Sequence, residues 1–140
     1  MHYSVWCSEE FPFENLANIR RQSTRYPGLK GYEVMALPDI CKVWTVKRAA
    51  FGANTAVTSD IPALVLAAEY DAYTPPDWGR KAASRLSHSF FFEIPWAGHG
   101  PAFSVPCVAD MVSDFIEKPS ERPDGECVSK TRAQFKFRTK

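Results

Sequence analysis

The sequence predicts an α/β fold built on a partial parallel sheet, and three observations predict it. Pro62-Ala63-Leu64-Val65-Leu66-Ala67-Ala68 is a continuous apolar run that ends in Glu69-Tyr70-Asp71, the pattern of a strand buried on both faces that then reaches a polar edge. Ser89-Phe90-Phe91-Phe92-Glu93-Ile94-Pro95 is a second strand candidate, rich in aromatic residues. Between them lies a helical segment, and strand, helix, strand over about 35 residues is a right-handed βαβ unit, hence a parallel pair.

The elements before the first strand read as helical. Phe13, Leu16 and Ile19 recur at helical spacing within 13–22, and Pro27-Gly28 follows as a stop signal. A second helix is predicted from Asp39, which can cap it, to Phe51, with Ile40, Val43, Val46, Lys47 and Ala50 on one face and Gly52-Ala53-Asn54 closing it. Thr74-Pro75-Pro76-Asp77 opens the crossover helix, because proline fits a first turn and an acidic side chain suits its positive end. That helix is expected to run to Leu86 with Trp78, Ala82, Ala83 and Leu86 inward. After the second strand, a helix over 105–116 gathers Cys107, Val108, Met111, Val112 and Phe115 on one face, which suits packing on a sheet. Gln134-Phe135-Lys136-Phe137-Arg138 alternates like a short strand within a basic tail. The resulting division is a helical segment over 1–58, an α/β region over 59–128 and a tail over 129–140.

A chain of 140 residues, 45% hydrophobic and 14% aromatic, has enough apolar material for a core. Seventeen Lys and Arg against sixteen Asp and Glu leave a net charge of +1, so the global charge gives no reason to expect a nucleic-acid or membrane partner. The longest apolar run, 61–68, falls far short of the about 20 residues that span a bilayer. The first residues lack the basic start and apolar stretch of an export signal, so if the protein is exported its signal lies outside this chain. Cys7, Cys41, Cys107 and Cys127 lack metal-site spacing, which leaves two disulfides, in any of three pairings, or buried thiols.

Chemistry is expected beyond the carboxyl ends of the two strands, where a parallel sheet collects functional groups. Asp71 follows the first strand and His99 the second, and parallel neighbours point those ends the same way. A carboxylate there can accept a hydrogen bond from one imidazole nitrogen, which fixes the tautomer and stabilises the imidazolium formed during acyl transfer. His99 then acts as general base. Gly98 and Gly100 flank it and supply the backbone freedom that a tight histidine loop needs.

These strings carry a resemblance. Residues 61–76, Ile-Pro-Ala-Leu-Val-Leu-Ala-Ala-Glu-Tyr-Asp-Ala-Tyr-Thr-Pro-Pro, resemble the acid-bearing motif of α/β-hydrolases of the tripeptidyl and prolyl aminopeptidase-like (TAP-like) group, a strand followed by G-x-x-D-x-x-T-P, with Ala68 in place of the glycine. Pro95-Trp96-Ala97-Gly98-His99-Gly100 is similar to that family's histidine loop. The resemblance covers about Ser4 to Val128. It implies a partial α/β-hydrolase fold with an N-terminal helical cap remnant, Asp71 as triad acid and His99 as triad histidine. It implies a Cys107–Cys127 disulfide, a second cysteine pair in the segment of Cys7 and Cys41, and an exported protein without a cofactor or metal. In aminopeptidase members an acidic group near that segment binds the substrate's free α-amino group, which makes Glu9 and Glu10 substrate-binding candidates. Their alternative role is to favour the positive end of the following helix.

The nucleophile elbow G-x-S-x-G occurs nowhere in the 140 residues, nor does a glycine run for an oxyanion hole. Chain order in this fold is Ser, Asp, His, so the serine is expected upstream, and the chain reads as the C-terminal portion of a serine hydrolase that is inactive alone. The complete protein is expected to act on a peptide or an ester, with the missing N-terminal half as partner. The alternative is a catalytically dead hydrolase-like chain that binds a partner. A third idea, nucleic-acid binding by the basic residues of 130–140, is outweighed by the ordinary reading of a solvated terminus.

Overall fold

The computed structural model describes residues 1–26, 28 and 37–130, and the chain divides into two units, Met1–Thr55 and Ala56–Lys140. The strand considered for 134–138 lies outside the described residues.

The first unit is a set of short helical turns. Helix α1 (His2–Val5) runs into a π-helical turn, Trp6–Glu10, and a 3₁₀ turn, Phe11–Phe13, that holds Pro12. Helix α2 (Leu16–Ser23) starts later than its periodicity suggested. The Asn15 side chain accepts the Asn18 N–H at 2.9 Å, capping the helix there and leaving Phe13 outside it. Helix α3 (Leu37–Val43) likewise departs from the expected 39–51: Asp39 sits in its first turn, and the helix stops eight residues early. The stop has a visible cause. Residues 44–49 are tied to the N-terminal turns instead, through Trp44 Nε1–H to Ser4 Oγ at 3.2 Å, Ser8 Oγ–H to Lys47 C=O at 2.7 Å and Ala49 N–H to Ser8 C=O at 2.9 Å. Arg48 lies over the Phe13 ring at 4.7 Å. A Cys7–Cys41 disulfide joins the π-helical turn to α3, and Cys7 is the one buried apolar residue of this unit among the described residues.

In the second unit, β1 (Ala63–Ala68) and β2 (Ser89–Ile94) pair in parallel, Ala63 opposite Ser89 through Ala68 opposite Ile94. Helix α4 (Pro76–Ala83) makes the crossover, with Pro76 in the first turn as expected. Then follow α5 (Pro101–Ser104), α6 (Pro106–Glu117) and α7 (Glu126–Lys130). Alternation along the strands separates two faces. Leu64, Leu66, Ala68, Phe90, Phe92 and Ile94 join Val108 and Met111 of α6 and Val128 of α7 in the core, where Ala68, Ile94 and Val108 are fully buried. A Cys107–Cys127 disulfide fixes α7 to α6. Gly125 sits so close to Phe92 that a Cβ there would fall 2.5 Å from the ring.

The opposite face meets α4, and here two expectations fail. A Cβ on Gly79 would lie 3.2 Å from Phe91 and 3.3 Å from Ala67, so the bare glycine is what lets α4 approach the sheet. That approach turns Gly79, Ala83 and Leu86 inward, whereas Trp78 is 63% exposed and Ala82 faces solvent with it. Strand β1 is not buried on both faces along its length either. Only Ala67 and Ala68 are buried, because among the described residues the sheet has two strands and little covers its start.

Candidate functional site

The carboxyl ends of β1 and β2 are carried on together past the last paired residues. Glu69 N–H donates to Ile94 C=O at 3.0 Å, Tyr70 N–H donates to Ala97 C=O at 3.0 Å, and the Glu69 carboxylate accepts the Trp96 N–H at 2.8 Å. The rings of Tyr70 and Trp96 meet edge to face at 5.7 Å. Two loops that belong to different strands therefore leave the sheet as one joined structure, and Asp71 and His99 stand on it one and two residues beyond the last of these bonds.

Asp71 is buried, at 7% exposure, and its carboxylate is fully engaged. Oδ1 accepts the backbone N–H of Tyr73 at 2.8 Å and of Thr74 at 2.9 Å; Oδ2 accepts the Thr74 hydroxyl at 2.6 Å and His99 Nδ1–H at 2.9 Å. An aspartate that turns back on the amides two and three residues ahead is the local geometry this side chain favours in a turn. Burial by itself pushes the carboxyl up. The Thr74 hydroxyl and amide, then His99 and the Tyr73 amide, outweigh it and hold the group well below the usual carboxylate range. An ionised carboxylate can only accept, so His99 Nδ1 is the donor of this bond, and in a neutral ring so held the free lone pair is on Nε2.

The His99 side chain is 60% exposed, and its ring lies 5.3 Å from that of Tyr73, with the Thr74 hydroxyl 3.5 Å from Nδ1. Gly100 follows with φ at 70° and opens α5. Gly98 does not use its freedom: the second left-handed residue of the loop is Trp96, at φ 62°. A side chain in that region costs about 1–2 kcal/mol relative to the right-handed form. Glu9 and Glu10 belong to the first unit, at the end of its π-helical turn, and both face solvent. Glu10 stands at the N-cap position of the Phe11–Phe13 turn without a side-chain cap bond, and Asn15 caps α2.

Asp71 and His99 are the expected pair; Thr74, Glu69 and Trp96 also shape the site and are not among the expected site residues. Thr74 had a signal, the three-residue spacing from an aspartate to a threonine before proline. Glu69 read only as the polar end of a strand, and nothing in the string around Trp96 marks a left-handed residue better than the neighbouring glycines do.

Both disulfides are compatible with an extracellular protein, and no helix among the described residues is long and apolar enough to cross a membrane. No curated protein and no solved structure matches the chain significantly. A family model described as TAP-like protein matches residues 29–127, a span that includes both strands, both site loops and three of the cysteines. With a parallel βαβ unit at its centre and most of its length inside that match, the chain belongs to the TAP-like family of α/β-hydrolases.

Proposed function

We propose that Asp71 and His99 are the acid and the histidine of a Ser-His-Asp triad, and that this chain contributes them to a serine hydrolase whose nucleophile lies on a segment N-terminal to it. The observation that carries the reading is the 2.9 Å hydrogen bond from His99 Nδ1 to a buried, ionised Asp71 at the carboxyl ends of adjacent parallel strands. With Nδ1–H committed, Nε2 takes the proton of an incoming serine hydroxyl as its oxygen attacks the substrate carbonyl. The Asp71 carboxylate then faces an imidazolium, and its depressed pKa keeps it charged through that step. Nε2–H next protonates the leaving amine or alkoxide, and water completes the cycle by the same route in reverse.

The substrate class that fits the family is a peptide with a free N-terminus or an ester, in an exported protein. Glu9 and Glu10 are the acidic side chains we assign to an α-amino group in the first case. The helical first unit is then a remnant of the cap that shapes specificity in this fold, within a division at 1–58, 59–128 and 129–140.

The test joins the segment encoded immediately upstream to this chain. The joined protein should hydrolyse aminoacyl anilides or p-nitrophenyl esters and take up one equivalent of a phosphonate probe, and His99→Ala should reduce kcat by roughly 10⁶-fold. The 140 residues alone should give neither signal. Titratable turnover by the isolated chain would overturn the division of labour. An inert joined protein with the Asp71–His99 bond intact would favour a binding module.

A further inference from the structure

We infer that Glu69 is a positioning residue: its carboxylate, by holding the Trp96 amide, sets the direction in which the second loop delivers His99 to Asp71. The inference deepens the triad reading and rests on it for its purpose. The geometry behind it stands apart.

The partners of the His99 ring, Asp71, Thr74 and Tyr73, belong to the loop after β1, whereas the ring itself rides on the loop after β2. Its orientation therefore depends on how the two loops are joined. Glu69 is the side chain at that joint. Its own N–H holds Ile94, the last residue of β2, and its Oε2 holds the N–H of Trp96, while the adjacent Tyr70 N–H holds Ala97. The chain between Ile94 and Ala97 reverses through the left-handed Trp96, a conformation that a residue with a side chain keeps only when its surroundings impose it. Two backbone bonds grip the residues on either side of the bend, and the carboxylate grips the bent residue itself. Without that acceptor the peptide before Trp96 is free to rotate, Ala97 leaves its buried place, and the histidine two residues on loses its register with Asp71.

The hydrogen bond rather than the charge is the active feature, which the choice of variants can isolate. In the full chain labelled with ¹⁵N, the ring nitrogens of His99, identified by their loss in His99→Gln, report the tautomer at neutral pH. The parent is expected to hold the Nδ1–H form. Glu69→Gln keeps an acceptor at the same reach and should retain that form. Glu69→Ala and Glu69→Asp, which lack an acceptor or fall one methylene short, should lower the ratio of Nδ1–H to Nε2–H by roughly tenfold while the slow-exchanging amides of β1 and β2 persist. If Ala does not fold, the Gln and Asp pair carries the comparison. An unchanged tautomer in Ala and Asp overturns the proposal, as does a loss in Gln. Collapse of all three variants overturns it too, since the carboxylate then supports the fold rather than the histidine. A parent that lacks the Nδ1–H form would instead sink the acid and histidine pairing, so the two failures are distinguishable.

Discussion

The two units of this chain solve the same problem with different means. In the second, alternation along two strands and one face of α6 bring Ala68, Ile94 and Val108 to full burial, and order follows from packing. In the first, Cys7 is the one buried apolar residue among the described residues, while Val43, Trp44 and Phe51 remain exposed. A covalent bridge and a few polar contacts along 41–49 take the place of a core there. The difference teaches where precision is available. A side chain anchored to a packed sheet can be held to hydrogen-bond tolerance, as Asp71 is, whereas side chains on stapled turns, such as Glu9 and Glu10, sit on a base secured by one disulfide and a few exposed hydrogen bonds.

The largest expected effect breaks the first unit alone. The Cys7–Cys41 bridge closes a separation of 34 residues, for which the chain-entropy model gives about 3–4 kcal/mol. Replacing both cysteines by serine should therefore abolish amide protection in Met1–Thr55 and leave the amides of β1 and β2 protected, as read by hydrogen exchange. Protection lost in both units at once would mean that they share stability. Next in size, Ile94→Ala removes a fully buried side chain from the second unit and should lower its unfolding free energy by about 2–5 kcal/mol, measured by urea titration. A loss below 1 kcal/mol would show a core loose enough to collapse around the gap.

The smallest effect is the one that reports on the site. The native Asp71 carboxyl titrates below its unfolded counterpart, so over the interval between the two the unfolded chain binds more protons. The contribution is complete above the ordinary carboxylate range, near 4, and shrinks as the pH falls toward the depressed native value. Asp71→Ala should flatten that part of the stability curve of the second unit, and an unaltered slope would show that other carboxylates account for it.

The second unit was also the more legible in the sequence, and for the same physical reason. Period-two and period-3.6 patterns report burial, and burial is what organises that unit, so β1, β2, α4, α6 and the polar residues just past each strand could be read directly. The pattern failed where one contact outweighed it. Trp78 and Ala82 look like an inward face until the close approach at Gly79 rotates the helix toward Ala83 and Leu86. In the first unit, periodicity predicts helix across Phe13 and across 44–51 because it carries no trace of the Asn15 cap or of the bonds from Ser4 and Ser8 to residues 40 and 39 positions away. The bend at Trp96 was hidden for a related reason. Glycine normally announces a left-handed residue, and the loop contains glycines enough to draw attention elsewhere.

The four acceptor positions of Asp71 are divided unequally: three go to its own turn, at positions 73 and 74, and one to His99. Most of the hydrogen bonds to this anion thus come from within four consecutive residues, at the end of the strand that carries them. Such a turn is portable. Grafted onto the end of an unrelated strand, Asp-Ala-Tyr-Thr-Pro should arrive already folded around its charge, with a single vacant lone pair awaiting an imidazole.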